Sequence, residues 1–323
     1  MGIPLDGIRD RYGIPIDRYV AEGTLDRMVH DHPLYEVHQR PALDRPVLVL
    51  APDGWIDAGL AGAGAMTSLL SGITTELVAT FNSDEFIDYR ARRPISVMDD
   101  GVYQELNWPT IELRAGHDGN GHDVLVLVGP EPDSRWQAFA GAVAELAGMF
   151  GARLLVGMAG FPAPVPHTRT APLAASASST ELALSVGVVP GTLQVPAGIL
   201  AALGERLGVM GVPTIGLWAR VPHYAAGLPY PDASIQLLEG LTKVAGLAVD
   251  ASELREAADE TRRRLDDLAS NSAQHRTLVR QLESQFDSEA ADQTALIAGW
   301  GNLPSGDELA AELEKFLRDE ETP

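Results

Sequence analysis

The segment Pro46-Val47-Leu48-Val49-Leu50-Ala51-Pro52-Asp53-Gly54-Trp55-Ile56-Asp57-Ala58-Gly59 decides how the chain is read. Residues 46–50 are an apolar, β-branched run without polar interruption, the pattern of a strand buried on both faces. The polar turn 53–57 then leads into alanine, glycine and leucine, which reads as a helix ending near Leu70 with Gly72 as its stop. A buried strand that passes directly into a helix is the repeating unit of a parallel sheet.

Working outward, residues 75–81, 123–128, 154–159 and 213–219 repeat the strand pattern, and a short strand is expected at 34–37. Helices are expected over 136–150, 199–207 and 235–247, with a long proline-rich loop after 154–159. Residues 102–108 and 110–114 flank Pro109 and are expected to pair as an antiparallel hairpin, which makes the sheet mixed. The fold class that follows is α/β: a mixed, mainly parallel sheet with helices on both faces, occupying residues 1–249.

From Asp250 the pattern changes. Leu254, Ala258, Thr261, Leu265, Leu268, Ser272, His275, Val279, Leu282 and Phe286 alternate spacings of four and three, the seam of a coiled coil. Ser270-Asn271-Ser272 interrupts that seam, so 250–286 is either one long helix or a hairpin. The polar seam residues Thr261, Ser272 and His275 favour the hairpin. A last helix is expected at 307–317, N-capped by Ser305 with Glu308 at the capping-box position, followed by an acidic tail. Residues 250–323 therefore form a helical appendage.

Composition excludes several classes of function. The net charge of −21 opposes binding to a nucleic-acid backbone or an anionic membrane surface. With no cysteine among 323 residues there is no disulfide, thiolate metal site or thiol nucleophile. No apolar run reaches the roughly 18 residues that span a bilayer. The start, Met1-Gly2-Ile3-Pro4, lacks the grammar of a secretion signal, and the expected location is the cytoplasm.

Polar clusters stand where each strand runs out, the place where open α/β sheets bind ligands. They are 53–57, 86–94, 129–136, 166–169 and 221–224. In a catalytic reading, His167 or His223 is the general base, Asp57 orients it, and Arg90, Arg135 or Arg169 clamps a small anion. The wider ligand-binding set is Asp88, Tyr89, Arg90, Arg93, Glu131, Arg135, Arg169 and Tyr224. The plain alternative is structural: the histidines order their loops, the arginines close internal ion pairs, and Asp133 caps the helix after it. Gly59, Gly62 and Gly64 do not match a dinucleotide fingerprint and fit close helix–sheet packing better. No metal site is predicted, and no cofactor is assigned.

Taken together, Gly54-Trp55-Ile56-Asp57-Ala58-Gly59, the 86–94 cluster, Gly129-Pro130-Glu131-Pro132, Pro166-His167-Thr168-Arg169 and Val221-Pro222-His223-Tyr224 resemble the actinobacterial branch of the proteasome assembly chaperone family. The resemblance runs from about residue 34 to 286. It implies a phosphorylase/hydrolase-like α/β fold, homo-oligomers with trimers favoured, a helical C-terminal appendage, and no agreed catalytic activity. Members that dock on proteasome rings commonly end in a hydrophobic-Tyr-any-residue tail. This chain ends Glu320-Glu321-Thr322-Pro323, so docking by that route is not expected. Two functions follow. One is an oligomeric interaction or assembly-factor-like protein that meets a partner through 250–286. The other is a hydrolase, transferase or ligand sensor for a small anionic substrate held at the strand ends.

Overall fold

The computed structural model describes residues 32–54 and 56–300, with 289–300 as backbone only. Trp55, the expected helix at 307–317 and the terminal tail lie outside the described residues. The strands are β1 (Tyr35–Val37), β2 (Val47–Leu50), β3 (Thr75–Phe81), β4 (Ile95–Asp99), β5 (Val102–Asn107), β6 (Glu112–His117), β7 (Asp123–Val128), β8 (Leu154–Ala163), β9 (Leu173–Ala177) and β10 (Thr214–Pro222). The helices are α1 (Ala61–Gly72), α2 (Ser83–Phe86), α3 (Trp136–Met149), α4 (Thr180–Leu184), α5 (Ile199–Val209), α6 (Pro231–Ala245), α7 (Ser252–Ser270) and α8 (Ala273–Trp300).

Eight strands form one sheet in the order β1-β3-β6-β7-β2-β8-β10-β9. The parallel strands are the central ones: β2 lies between β7 and β8, with Val47 opposite Val124 and Leu154, and β10 continues beside β8. The margins are antiparallel, with β6 between β7 and β3, β1 on β3, and β9 on β10. Every residue of β2 is buried, as an uninterrupted apolar strand between two helical layers requires. Leu48 and Leu50 point into the core shared with α3 and α5. By the pleat, Val47 and Val49 face the opposite side, where α1 and α6 pack.

Segments 102–108 and 110–114 do not pair with each other, contrary to the expectation from Pro109. The turn lies earlier, at Asp99-Asp100-Gly101-Val102, where Asp100 and Gly101 have φ of 47° and 81°. Two positive φ values in succession make the tight turn whose twist matches a hairpin. So β5 folds back on β4 in a separate two-stranded sheet, and β6 enters the main sheet between β3 and β7. Other boundaries shift as well. β8 and β10 run on to Ala163 and Pro222, and the proline-rich stretch contains β9 and α4. Gly72 ends α1 without a left-handed residue, since Ile73 is already extended.

The glycines after β2 act in packing. A Cβ at Gly62 would stand 2.5 Å from the Met158 carbonyl oxygen on β8, and one at Gly64 would stand 2.5 Å from the Ser234 hydroxyl on α6. Both let α1 approach its neighbours at backbone distance. On the other side of the sheet, Phe139 of α3 meets Phe81 and Phe86 with ring centroids 4.8 and 5.1 Å away. This aromatic group lies under the loop that follows β3.

The described residues fall into two compact units. The first runs to Pro164 and resumes over Thr170–Arg263; the second joins Val165–Arg169 to the chain from Arg264 onward. Asn271-Ser272 separates α7 from α8. No helix among the described residues is long and apolar enough to cross a membrane.

Candidate functional site

The loops after β2, β3 and β7 are knitted by one arginine. Arg92 donates from Nη2 to the Asp53 carbonyl (3.3 Å), from Nη1 to the Asp53 carboxylate (3.4 Å) and from Nε to Asp133 (3.3 Å). Asp133 also accepts from the Asp88 backbone N–H at 2.9 Å, while its own N–H donates to the Phe86 carbonyl at 2.8 Å. Asp133 therefore ties two loops together and does not cap α3, whose N-cap residue is Arg135 with no side-chain cap bond. Arg90 closes on its neighbour Asp88 through Nε and Nη2, at 3.3 and 3.2 Å, which holds that carboxyl below its ordinary range. Tyr89 donates to Asp84 at 2.7 Å; burial, then this carboxylate, push its phenol up to about 12. Arg135 pairs with Glu85. Arg93 is exposed, with no ion pair among the described residues.

Two carboxylates in these loops serve backbone amides. Asp57 sits at the start of α1 and accepts from Gly62 (2.8 Å) and Ala63 (3.0 Å), while Gly160 of β8 donates to it at 3.0 Å. Burial pushes its carboxyl up, and the three backbone donors pull it part of the way back. Neither histidine is among its partners. Buried Glu131 accepts from the Ile199 N–H at 2.6 Å, so a carboxylate from the β7 loop occupies the positive end of α5. The approach depends on Gly54, where a Cβ would stand 3.0 Å from the Glu131 carboxylate.

The 165–169 segment belongs to the second unit and is bound within it. His167, 2 % exposed, meets Asp266 of α7 through Nε2 at 3.2 Å. Thr168 donates to Glu283 of α8 at 2.6 Å. Arg169 forms a two-pronged bond to Asp287, 3.0 Å from Nε and 2.8 Å from Nη2, and reaches Glu283 at 3.4 Å. On a straight helix Asp266 and Glu283 would be about 25 Å apart. Both instead grip adjacent residues, so the chain turns at Asn271-Ser272 and a continuous rod is excluded. His223, exposed at the end of β10, makes an edge-on ring contact with Tyr224, centroids 5.3 Å apart.

The polar clusters thus form two sets. Asp53, Asp88, Arg92 and Asp133 form one network; His167, Thr168 and Arg169 form another with the C-terminal helices. Beside Gly129-Pro130 lies a recess lined by apolar groups, including Leu50, Ile111, Phe139 and Ile199. Its volume is about 10 Å³, room for one water at most. Among the described residues, no group of three or more histidines and carboxylates is placed to hold a metal ion.

Sequence reasoning ranked Arg90 and Arg93 above Arg92, and it passed over Asp118. That carboxylate, 6 % exposed, accepts from the N–H groups of Asn120, His122 and Ala248 and from the His122 ring. Asp-Gly-Asn-Gly signals the turn, but nothing local points to Ala248. Asp232 was missed for the same reason: it accepts from Ala171 at 2.8 Å and lies 3.6 Å from Arg262.

With this geometry in hand, residues 51–269 match the PAC2 family. The chain belongs to the PAC2 family. A Mycobacterium tuberculosis protein of unknown function is 34 % identical with a TM-score of 0.75, over 82 % of this chain and 92 % of that one. A Corynebacterium glutamicum protein of unknown function is 32 % identical with a TM-score of 0.74, over 80 % and 98 %. A second M. tuberculosis structure, a proteasome-assembly chaperone homologue, is 27 % identical with a TM-score of 0.67, over 72 % and 99 %. No curated protein matches the chain.

Proposed function

We propose that this PAC2 family chain is a non-catalytic, oligomeric assembly factor that works in the cytoplasm and meets its protein partner through the helices at 250–286. The observation that carries the reading is α7, nineteen residues long without one buried residue, yet tied down by ion pairs. Arg262 lies against Asp232, and Asp266 against His167. An ordered helix whose inward residues, among them Leu254 and Leu265, are only partly covered, and which exposes Leu268, is able to receive another protein. The likeness to a proteasome-assembly chaperone homologue makes proteasome subunits the first partners to test.

Support for a substrate pocket is weaker. Asp57, Glu131, His167 and Arg169 each hold an internal partner, and the recess at the β7 end is too small for an anionic substrate. The deciding experiment co-expresses the full chain with actinobacterial proteasome α- and β-subunits and isolates complexes through the chain. Co-purification of unassembled α-subunits, weakened at least tenfold by Leu268→Glu, is expected. Absence of any proteasome subunit from the complexes would remove that partner. Equal capture by Leu268→Glu would move the contact away from α7.

A further inference from the structure

One face of the main sheet is covered along only part of its length. Toward α1 and α6, Met158 and Gly160 of β8 and Leu217, Ala219 and Val221 of β10 are all buried. On the opposite face α5 runs back toward the start of the strands: Leu200 lies over Gly157 and Gly216, and Gly204 lies beside Thr214. Beyond Leu200, Ala159 and Phe161 of β8 and Trp218 and Arg220 of β10 are partly exposed. Trp218 pairs with Ala159 and Arg220 with Phe161, so these four side chains make one shelf. The shelf stands at the carboxyl ends of two parallel strands, where open α/β sheets take ligands.

The chemistry of the shelf limits what it can hold. A Cβ at Gly216 would stand 2.9 Å from Trp218 Nε1, so the indole leans back along the sheet. Its N–H donates to the Ser176 hydroxyl at 2.9 Å, which leaves the ring face as what Trp218 offers. Arg220 follows two residues on, about 7 Å along the strand. It is the only charged side chain among residues 154–163, 171–180, 182–204 and 214–222, in a chain of net charge −21. A ring face beside a lone guanidinium suits a planar ring that carries an anionic group.

A strap of chain is tethered at two borders of this shelf. Gly187 accepts from the Ala175 N–H at 2.7 Å on β9, the last strand of the sheet, and Leu200 is fixed over β8 and β10. At about 4.8 Å per strand the tethers are roughly 15 Å apart, whereas the chain joining them reaches about 40 Å when extended. Residues 188–197 are all exposed, and among the described residues they make no backbone–backbone hydrogen bond. The strap therefore has slack, apolar side chains such as Leu193 and Val195, and unspent N–H and C=O groups. Those groups match the donors and acceptors on the edge of a nucleobase.

We propose that the shelf binds a nucleoside monophosphate: the base stacks on Trp218, the phosphate meets Arg220, and residues 188–197 close over the base. The proposal goes beyond the assembly-factor reading and does not depend on it.

The test titrates the full-length protein calorimetrically with AMP, adenosine, inorganic phosphate and indole-3-acetate. AMP is expected to bind saturably and at least tenfold more tightly than the other three. No saturable binding of AMP overturns the proposal, and indole-3-acetate binding as tightly as AMP overturns the nucleotide assignment. Trp218→Leu is expected to weaken AMP and adenosine together, each at least tenfold. Arg220→Gln is expected to weaken AMP at least tenfold and leave adenosine unchanged. Unchanged AMP affinity in both variants would place the site elsewhere and overturn the shelf. Val195→Asp keeps the test decisive if a shelf variant fails to fold, because Val195 is 72 % exposed. It is expected to weaken AMP at least fivefold, and amide exchange at 188–197 is expected to slow in wild type when AMP is added. Unchanged affinity in Val195→Asp with unchanged exchange in wild type would overturn closure of the strap.

Discussion

Asp118 shows how a single buried carboxylate joins distant parts of the chain. Burial pushes its pKa up, but donors from Ala248, from the ring and backbone of His122 and from Asn120 outweigh this and hold it at about 2. A carboxyl depressed in the folded state contributes stability above its unfolded pKa near 4. That stability is lost as pH falls through the folded value. The window is therefore about pH 4 to 2, and the linked loss is about 2 kcal/mol. Urea titrations should show this loss in wild type and its absence in Asp118→Ala, which at pH 7 should itself be about 3 kcal/mol less stable because buried N–H groups lose their acceptor. Glu131→Ala should cost about 2 kcal/mol by stranding the Ile199 N–H, with Glu131→Gln recovering most of it. A Gln variant as unstable as Ala would mean that charge at the α5 terminus, not the hydrogen bond, is what matters. Asp57 at the start of a helix was visible in the sequence, since two of its partners are five and six residues away, whereas its third, Gly160 on β8, was not. Arg92 was not, since three arginines in one loop look alike until Asp53 and Asp133 are placed beside one of them.

At the scale of elements, two glycines of opposite character test the packing. A Cβ at Gly160 on β8 would stand 2.4 Å from the Ala58 carbonyl oxygen, a backbone atom that cannot turn aside. Gly160→Ala should destabilise by about 3 kcal/mol or more, as overpacking against a fixed wall does. Gly141 within α3 has no atom within 4 Å of a Cβ. Gly141→Ala should stabilise by about 1 kcal/mol through helix propensity alone. Denaturant midpoints of the two variants should move in opposite directions; a loss at Gly141 would show that α3 packs more tightly than the geometry allows. The aromatic group at Phe139 matters for the loops as well as the core. Phe139→Ala should cost about 4 kcal/mol and loosen the segment carrying Asp88 and Arg92, read as faster amide exchange there.

For the whole molecule, the segment that had the form of a catalytic motif is the fastening of the C-terminal helices. His167, Thr168 and Arg169 hold Asp266, Glu283 and Asp287 on the two helices. The Asp287 carboxylate beside Arg169 holds that guanidinium's pKa above its ordinary value, and Arg169 holds the Asp287 carboxyl below its own. Arg169→Ala should speed amide exchange around Glu283 and Asp287 severalfold while leaving β2 and β8 protected. Unchanged exchange in α8 would mean that the ion pairs are decorative and seam packing alone holds the helices. If fastening is the role of this segment, its loss should reduce partner capture together with α8 order, whereas a catalytic histidine would affect turnover without changing exchange.

The sequence by itself determined the central strands and their flanking helices, and it offered Ser270-Asn271-Ser272 as a turn while leaving one long helix open as the alternative. These depend on local properties: apolar runs that no exposed element tolerates, and small polar residues that interrupt a seam. Only the tertiary structure decided that β6 leaves the expected hairpin to lie between β3 and β7, and that β4–β5 stands apart. It also decided which polar group answers which. Arg169 with Asp287, Asp118 with Ala248 and Glu131 with Ile199 join positions far apart in the chain. The physical reason is that a charged or hydrogen-bonding side chain can be satisfied by many partners of the same chemistry. The choice among them is made by packing of the apolar core, which brings one partner within 3 Å and leaves the others in water.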